Sequence, residues 1–520
     1  MRVHNISVNF IKVSYVPVVL ACLLASHSLA NEIVNTKTLT ERKLRPNIIF
    51  ILADDLGYGD LGSYGQQKII TPNIDKLAHD GIRFTDFYSG STVCAPARCT
   101  LMTGLHTGHC YIRENSRGNS LRQIDTTLPE LLQENGYRTG HIGKWGLGDE
   151  GSEGIPTKKG FEYFFGYLNH EHAHNYYPEY LIKNEERIYL ENEVPNESRY
   201  GEGVASKKVE YSNDLFAKNA LQYIKDNKDH PFFLYLAYTI PHANTEAENN
   251  GMEVLDYGIY SEEAWIDSNK GYAAMVTRLD SYVGKLMALL KDLDIDNKTI
   301  VFFTSDNGPH KEGGYQPHFF NSNGPLRGIK RDLYEGGIRV PLIVRWPEKI
   351  KPGAISNYIS YFPDIFPTTL DIANVKLTAK TDGKSLLPTL VGEVGQQESH
   401  PYLYWEFYEQ GGKRAIRAGD WKAIQKPFKG DIELYNLKTD SLEQKNIADE
   451  YPDIVENLLV KMNEAHSPLP IWKTIGIYTK SYTKYLSKKY FLVGSILLSV
   501  GVLVGGSGVT LIMRRRKKAG

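Results

Sequence analysis

The chain has 520 residues, of which 41% are apolar and 23% charged, a composition typical of a folded globular protein with room for two lobes. Its formal net charge is -1 at pH 7, so no overall field favours nucleic acid, an acidic polymer or anionic lipid. We therefore expect no nucleic-acid partner, and any anion that binds must be held by a local group of side chains.

The first thirty residues have the pattern of a signal peptide. Arg2 and Lys12 precede an apolar run at 13–25, and small residues close the segment at 28–30. We expect cleavage after Ala30, with a lipoprotein start at Cys22 as the alternative, followed by a disordered lead over 31–45. The protein is therefore predicted to be exported, to the periplasm or the cell surface.

Five apolar runs predict the strands of a central sheet. They lie at 47–52, 141–148, 231–243, 299–308 and 340–347. Helical patterns at 73–82, 128–137 and 273–293 alternate with them. This alternation is typical of an α/β fold, so we predict a mostly parallel central sheet flanked by helices over residues 46–370.

The character of the sequence changes after residue 370. The segments at 414–426 and 432–437 have the character of hairpin strands, and 449–466 predicts one helix. Residues 371–466 are therefore expected to form a smaller C-terminal α+β subdomain with an antiparallel sheet. No internal repeat is found.

The far end of the chain contains an apolar stretch. Residues 491–513 carry no charge and are long enough to cross a hydrocarbon core of about 30 Å. A basic tail follows this stretch at 514–520, and a Tyr- and Lys-rich spacer precedes it at 467–490. We predict a transmembrane helix with a cytoplasmic tail, and a sorting signal removed after export is the alternative.

Polar side chains follow four of the predicted strands. Asp54-Asp55 and Asp306-Asn307 end two of them, while Lys144 and His242 end two more. Ligands meet at the carboxyl ends of parallel strands, so these side chains are expected to converge. The oxygens of Asp54, Asp55, Asp306 and Asn307 suit a hard cation, Ca²⁺ or alternatively Mg²⁺. The alternative is that they only cap helices and form turns.

The most specific segment is SGSTVCAPARCTLMTGLHTGH, at residues 89–109. Once the signal peptide is removed, three cysteines remain, Cys94, Cys99 and Cys110, an odd number that leaves at least one unpaired or altered. The pattern Cys94-Ala-Pro-Ala-Arg98 followed by Cys99-Thr-Leu-Met-Thr-Gly resembles the signature of the type I sulfatase family. The resemblance extends from about residue 46 to 450, and includes GHIGKWGLG, SDNGPH and LRGIKRDLYEGGIRVP.

The resemblance implies an alkaline-phosphatase-like fold with a sulfatase catalytic domain over 46–370, and an arylsulfatase-like sulfuric ester hydrolase. In that family a maturation enzyme, the formylglycine-generating enzyme, oxidises the signature cysteine to formylglycine. The resulting aldehyde hydrates to a diol; one hydroxyl attacks sulfur, and the other then expels sulfate. A thiolate would instead form an adduct that is released with difficulty.

The family's functional positions carry over to this chain by its motifs. The implied catalytic residues are Cys94, Arg98, Lys144, His242 and Lys330, and the implied metal ligands are Asp54, Asp55, the modified Cys94, Asp306 and Asn307. Arg98 would orient the diol, both lysines would contact sulfate, His242 would protonate the departing oxygen, and Asp306 could accept a proton from the attacking hydroxyl.

One position departs from the pattern. Many relatives have histidine two residues after the lysine, where this chain has Gly146, and that histidine is credited with assisting sulfate release. His310 is one candidate for the role. In the segment 164–181 the resemblance suggests His174 and Asn175 as substrate contacts; the alternatives are a polar loop and a metal site made of His170, His172 and His174.

The expected substrate is a sulfated small molecule or oligosaccharide. The alternative enzyme is a phosphomonoester or phosphonate hydrolase on the same fold, although such phosphatases usually have serine or threonine at the position of Cys94 and two zinc ions. A third hypothesis, a catalytically inactive binding module at the cell surface, conflicts with retention of the charged positions.

Overall fold

The computed structural model describes residues 45–195, 200–428 and 430–469. The predicted signal peptide, almost all of the lead, the apolar segment 491–513, the basic tail and the spacer beyond residue 469 lie outside these ranges. Within them, no helix has both the length and the apolar character needed to cross a bilayer.

The described ranges contain sixteen strands: β1 (Asn47–Ala53), β2 (Ile82–Phe84), β3 (Phe87–Tyr88), β4 (Arg138–Lys144), β5 (Tyr163–Tyr167), β6 (Tyr180–Lys183), β7 (Glu186–Tyr189), β8 (Phe232–Ala237), β9 (Thr299–Ser305), β10 (Leu342–Arg345), β11 (Ala354–Ser356), β12 (Ser360–Tyr361), β13 (Leu403–Phe407), β14 (Lys413–Ala418), β15 (Trp421–Gln425) and β16 (Ile432–Asn436).

The same ranges contain ten α-helices: α1 (Pro72–His79), α2 (Cys94–Thr103), α3 (Leu128–Glu134), α4 (Ser212–Asn227), α5 (Asp267–Asp292), α6 (Pro317–Phe320), α7 (Glu335–Ile338), α8 (Ile365–Ile372), α9 (Leu387–Leu390) and α10 (Pro452–Glu464).

The main sheet has ten strands in the order β11-β2-β10-β9-β1-β8-β4-β5-β6-β7. The five central strands, from β9 to β5, are parallel. β10, predicted at 340–347, runs antiparallel to β9, and β6 runs antiparallel to β5. The predicted α/β fold with a mostly parallel central sheet is therefore confirmed.

β1 lies at the centre of this sheet and is buried along its whole length. Ile49 and Ile51 pack into the apolar core on one face, and Phe50 and Leu52 pack into the core on the other. A strand covered on both faces needs apolar side chains at every position, which explains its unbroken run. Full burial of one such side chain contributes roughly 1.5–3 kcal/mol.

Helices cover both faces of the sheet, with α1, α4 and α5 on one and α2, α3 and α8 on the other. Every residue of α2 is buried. The helix ends at Gly104, whose φ of 69° is left-handed, and the Gly104 amide donates to the carbonyl of Thr100. The segment that contains Cys94 is therefore a rigid core helix.

The C-terminal part forms an antiparallel sheet in the order β13-β14-β15-β16. Helix α10 packs on one face through Leu458 and Leu459, which contact a core containing Ile416. The other face packs on the part of the chain that contains the main sheet through Trp405, in one cluster with Tyr88. The expected smaller antiparallel sheet is present: the pattern at 414–426 corresponds to β14 and β15, the pattern at 432–437 to β16, and the predicted helix to α10.

A buried ion cluster joins the two parts. Lys422 Nζ donates to Glu335 Oε1 at 2.8 Å and also lies 2.8 Å from Glu443 Oε1, the second contact lacking hydrogen-bond geometry. All three side chains are fully buried. Burial raises the pKa of Glu443 to about 7, and Lys422 counteracts the increase.

Replacing Lys422 with methionine is expected to lower the free energy of unfolding by about 3–5 kcal/mol, because Glu443 would stay buried without its cation and Glu335 would keep Arg339 as its ion-pair partner. Urea unfolding of the described domains checks this. The matched control is Lys445→Met, since the Lys445–Glu450 pair is exposed and solvent screens its attraction. A Lys422 variant as stable as that control would contradict the argument.

Candidate active site

The candidate site lies at the carboxyl ends of the central strands. Asp54 and Asp55 follow β1, Asp306 and Asn307 follow β9, and Lys144 is the last residue of β4. All five side chains are buried. The structure thus brings together groups that are up to 253 positions apart in the chain, as counted from Asp54 to Asn307.

Three further residues complete the cluster. His242 follows β8, Lys330 comes from the loop before α7, and Arg98 lies one turn into α2. Arg98 Nη1 donates to the carbonyl oxygen of Lys144 at 2.6 Å, which ties the start of α2 to the end of β4. Eight of the residues that the family resemblance implies are therefore in one buried cluster: Asp54, Asp55, Arg98, Lys144, His242, Asp306, Asn307 and Lys330.

Each carboxylate of the cluster has a cation beside it. Asp54 Oδ2 accepts from Lys144 Nζ at 2.7 Å, and Asp55 Oδ2 accepts from Lys330 Nζ at 2.7 Å. Asp306 Oδ2 accepts from Arg98 Nη2 at 2.8 Å. Three carboxylates and three cationic side chains thus balance one another out of contact with water.

The backbone turn at Asp55 allows neighbouring side chains after β1 to point into the same site. Its φ of 65° is left-handed, which lets successive side chains after β1 enter the site, and Asp tolerates this conformation better than most residues. The Asp55 amide donates to Asp306 Oδ1 at 3.1 Å, and Asn307 Nδ2 donates to Asp55 Oδ1 at 2.6 Å. The two strand ends are therefore held to each other.

Two buried oxygens at the centre have no hydrogen-bond partner among the described residues, Asp54 Oδ1 and Asn307 Oδ1. Oxygens of Asp54, Asp55 and Asp306 lie within 4.8 Å of one another. Burial and the charge of Asp54 raise the pKa of Asp306 to about 7. Unpaired oxygens in an acidic cluster are the donor set that a hard divalent cation requires, so the residues fit such an ion.

Cys94 begins α2, and its Sγ lies within 4.8 Å of atoms from Asp54 and His242. Asn115 Nδ2 approaches Cys94 Sγ at 3.5 Å. Burial raises the pKa of the Cys94 thiol, although Lys144 counteracts it. An unmodified thiol is therefore a poor nucleophile at this position, because the thiolate is the reactive form. Cys94, Cys99 and Cys110 are all unpaired.

His242 and Lys330 form a close pair. His242 Nδ1 donates to the carbonyl oxygen of Ala243 at 2.7 Å, so Nε2 faces Lys330 Nζ at 2.9 Å as an acceptor. Burial lowers the pKa of His242 well below its usual value, and Lys330 lowers it further. The imidazole is therefore neutral, and the proton of the pair is on Lys330.

The sequence suggests His174 and Asn175 as substrate contacts, and the two side chains have different surroundings. His174 stacks on His242 with ring centroids 4.8 Å apart, and its Nδ1 contacts Thr245 Oγ1 at 2.9 Å. Asn175 is fully buried, and its Oδ1 accepts from the Tyr177 amide at 3.0 Å. His174 thus lies at the site beside a proposed catalytic residue, whereas Asn175 supports the turn behind it.

The proposed three-histidine metal site does not form. Among the described residues, His170, His172 and His174 do not appear together in any group able to hold a metal. His172 is buried and packs against Tyr180, with ring centroids 4.5 Å apart. Its role is structural packing.

Gly146 leaves space beside the cluster. A Cβ built at Gly146 would meet His170 Cβ at 3.8 Å and Arg98 Cδ at 4.0 Å. No hydrogen-bond partner of the His170 ring is found in the described ranges. Burial lowers the pKa of His170 to about 3, and the positive charge of Lys144 contributes to the decrease. A neutral imidazole therefore borders the position where many relatives have histidine.

His310, the candidate for assisting sulfate release, contacts the backbone with both ring nitrogens. Its Nε2 contacts the carbonyl oxygen of Pro241 at 3.0 Å, and its Nδ1 accepts from the Glu312 amide at 3.0 Å. Both ring nitrogens are thus engaged with backbone, which fixes the tautomer. His310 holds the loop of His242 and has no nitrogen left for sulfate release.

Two family models match this chain. The family model described as Sulfatase matches residues 46–375, and a model described as N-sulphoglucosamine sulphohydrolase, C-terminal, matches residues 329–467. Among curated proteins, N-acetylgalactosamine-6-sulfatase of Mus musculus is 31% identical over 449 residues, covering 83% of this chain and 80% of that one.

Two other proteins are similar over most of their length. N-acetylgalactosamine-6-O-sulfatase of Bacteroides thetaiotaomicron is 30% identical over 486 residues, covering 80% of this chain and 92% of the relative. The crystal structure of Ps i-CgsB in complex with k-i-k-neocarrahexaose has a TM-score of 0.68 and 27% identity, covering 84% of this chain and 98% of the other.

Proposed function

The chain belongs to the sulfatase family and hydrolyses sulfuric esters, and we propose that it removes sulfate from a carbohydrate through an aldehyde formed at Cys94 beside a bound divalent cation. The observation that carries the proposal is the position of Cys94 at the head of α2, within 4.8 Å of Asp54 and His242. A reactive group there would meet sulfate in the middle of the cationic side chains.

The charge balance of the cluster favours an anionic substrate once an ion is present. The carboxylates of Asp54, Asp55 and Asp306 offset Arg98, Lys144 and Lys330. A divalent cation would therefore leave the centre positive, which suits a sulfate monoester with its single negative charge. We propose Ca²⁺, with Mg²⁺ as the alternative, because the donors are oxygens.

When present, the ion would neutralise charge on sulfate, and the hydrated aldehyde would supply the attacking hydroxyl. Lys144 commits one of its three N–H groups to Asp54, so two are available for sulfate oxygens. Arg98 is anchored on Asp306 and on the Lys144 carbonyl, which fixes its fork beside position 94. These contacts act where charge develops in the reaction.

The leaving oxygen needs a proton, and the His242–Lys330 pair can deliver it. Lys330 holds the proton 2.9 Å from His242 Nε2, and the negative charge of bound sulfate would raise the pKa of His242. His242 Nε2 would take this proton and pass it from the same nitrogen to the departing alcohol, because Nδ1 is held by the Ala243 carbonyl. Lys330 is left neutral and His242 returns to its neutral form. The carboxylate of Asp55, 3.4 Å from His242 Nε2, stabilises the imidazolium that forms.

A sulfated sugar is the substrate class favoured by the relatives. Two are named for N-acetylgalactosamine-6-sulfate, and the Ps i-CgsB complex contains a carrageenan-type oligosaccharide. We further propose that residues 1–30 direct export, that a formylglycine-generating enzyme is a partner during maturation, and that 491–513 attaches the protein to a membrane or is a cleaved sorting signal.

The proposal predicts a strong preference for sulfate over phosphate. With N-acetylgalactosamine 6-sulfate and other singly sulfated sugars, and with phosphate esters of the same alcohols, kcat/KM is expected to be at least about 100-fold higher for the best sulfate ester, or about 2.7 kcal/mol. Released anion is measured by ion chromatography. A preference for the phosphate or phosphonate ester would support the alternative hydrolase instead.

A further inference from the structure

Asn115 contacts the reacting position although the sequence patterns do not mark it. Its side-chain Oδ1 accepts from the Ala95 amide at 2.9 Å, and its Nδ2 points to Cys94 Sγ at 3.5 Å. The first contact fixes which end of the amide faces Cys94, because a backbone N–H requires the oxygen. The Asn115 amide is therefore a neutral donor aimed at residue 94.

The loop that contains Asn115 is held by the C-terminal sheet. The Asn115 amide N–H donates to Glu409 Oε1 at 3.0 Å, and Glu409 lies in the turn between β13 and β14. Two residues earlier, Arg113 Nη1 donates to Glu406 Oε2 of β13 at 3.1 Å, with both side chains fully buried. The smaller subdomain thus determines where this loop stands relative to α2.

Glu409 is also connected to the cationic side of the site. Its Oε2 lies 3.8 Å from Arg331 Nε, and Arg331 Nη1 pairs with Glu312 Oε1 at 2.5 Å. Glu312 in turn lies 3.5 Å from Lys330 Nζ. The turn after β13 is therefore connected to residue 94 through Asn115, and to Lys330 through Arg331 and Glu312.

We propose that the C-terminal sheet completes the active site: Asn115 donates a hydrogen bond to the reacting oxygen at position 94, and Glu409 is the residue that positions Asn115. The inference rests on the proposed function, because the oxygen in question replaces the sulfur of Cys94. A fixed neutral donor would favour the hydrated form of residue 94 and stabilise charge that develops on its oxygen.

The first test is Asn115→Asp, which keeps the shape and the acceptor for the Ala95 amide but replaces the donor with a carboxylate oxygen. We expect kcat to fall by about 10²-fold, the loss typical of removing one such donor, with KM within about threefold. Peptide mass spectrometry of residue 94 normalises the rates for the fraction converted to the aldehyde.

A second readout does not depend on turnover. Labelling of position 94 by an aminooxy probe reports free aldehyde, and Asn115→Asp is expected to be labelled several times faster than wild type because its hydrate loses a donor. For the positioning residue, Glu409→Gln keeps an acceptor and should restore the kcat that Glu409→Ala loses, about tenfold. Gln410→Ala, in the same exposed turn, is the matched control.

Wild-type kcat and labelling in Asn115→Asp would overturn the inference, as would equal kcat for Glu409→Gln and Glu409→Ala. If no aldehyde mass appears at residue 94 of active wild-type protein, the proposed function fails and the inference fails with it. That failure is distinguishable, because it is seen before any substitution is made.

Discussion

Sulfate release by the Cys94→Ala variant is expected to fall by about 10³-fold or more while the protein stays folded. Alanine cannot be converted to an aldehyde, so the attacking hydroxyl is lost and only the binding and electrostatic contributions of the site remain. Stability should change by about 1 kcal/mol, because a single buried sulfur atom is removed from a helix end. Sulfate release and thermal unfolding are measured on the same preparations.

Cys99→Ala is the matched control for this variant. Cys99 is also fully buried, five residues along the same helix, but it belongs to the apolar core and is not in the ion cluster. Its substitution should leave turnover within about threefold. A Cys94→Ala protein that retains turnover comparable to this control would contradict the mechanism, as would active wild-type protein whose residue 94 is an intact thiol by mass spectrometry.

The fold could be predicted from the sequence where one physical pattern dominates. β1, β8 and β9 are buried on both faces, so their apolar runs are unbroken and their polar ends stand out. The helices α1, α3 and α5 alternate with them, and the turn residues between β14 and β15 mark a hairpin. Order and direction within the sheet follow from such patterns only in part, since β10 has the same composition but runs antiparallel.

Other elements were missed for physical reasons. β5, β6 and β7 extend the sheet through short pairings in a segment rich in tyrosine, histidine and charge, where no period is visible. β13 is only five residues long and is buried at every position, so it is too short and too uniform to show a period. Helix α2 is buried on all sides, so it has no amphipathic pattern, and the motif alone indicated its importance.

The candidate site also contains some residues that could be predicted from the sequence and others that could not. Side chains that directly follow strands, such as Asp54 and Asp306, were predictable because strand ends meet at one edge. Asn115 and Glu409 were not, because Asn115 contacts residue 94 and Glu409 contacts Asn115 from loops whose paths depend on packing between the two sheets. His170 likewise borders Gly146 only after β5 is placed beside β4.

Removal of the divalent ion is expected to have the second large effect. Exhaustive chelation should lower sulfate release by about 10³-fold, since the charge that offsets sulfate would be lost, and Ca²⁺ or Mg²⁺ should restore it. The ion should also stabilise the fold by about 2.7 kcal/mol when supplied at 100 times its Kd. Elemental analysis should find one ion per chain, and thermal unfolding with each ion identifies the tighter one.

Asp54→Asn and Asp60→Asn provide the paired substitutions. Asp54 Oδ1 is one of the unpaired oxygens at the centre, so its loss of charge should abolish ion-dependent stabilisation. Asp60 lies in the same loop and is equally buried, but it belongs to no group of side chains close enough to hold a metal in the described ranges, and its Oδ2 accepts from Tyr272 and from the Gly57 amide. Its variant should therefore still be stabilised by the ion. Full turnover in protein shown to be metal-free would exclude the ion, and the unpaired oxygens would then need another explanation.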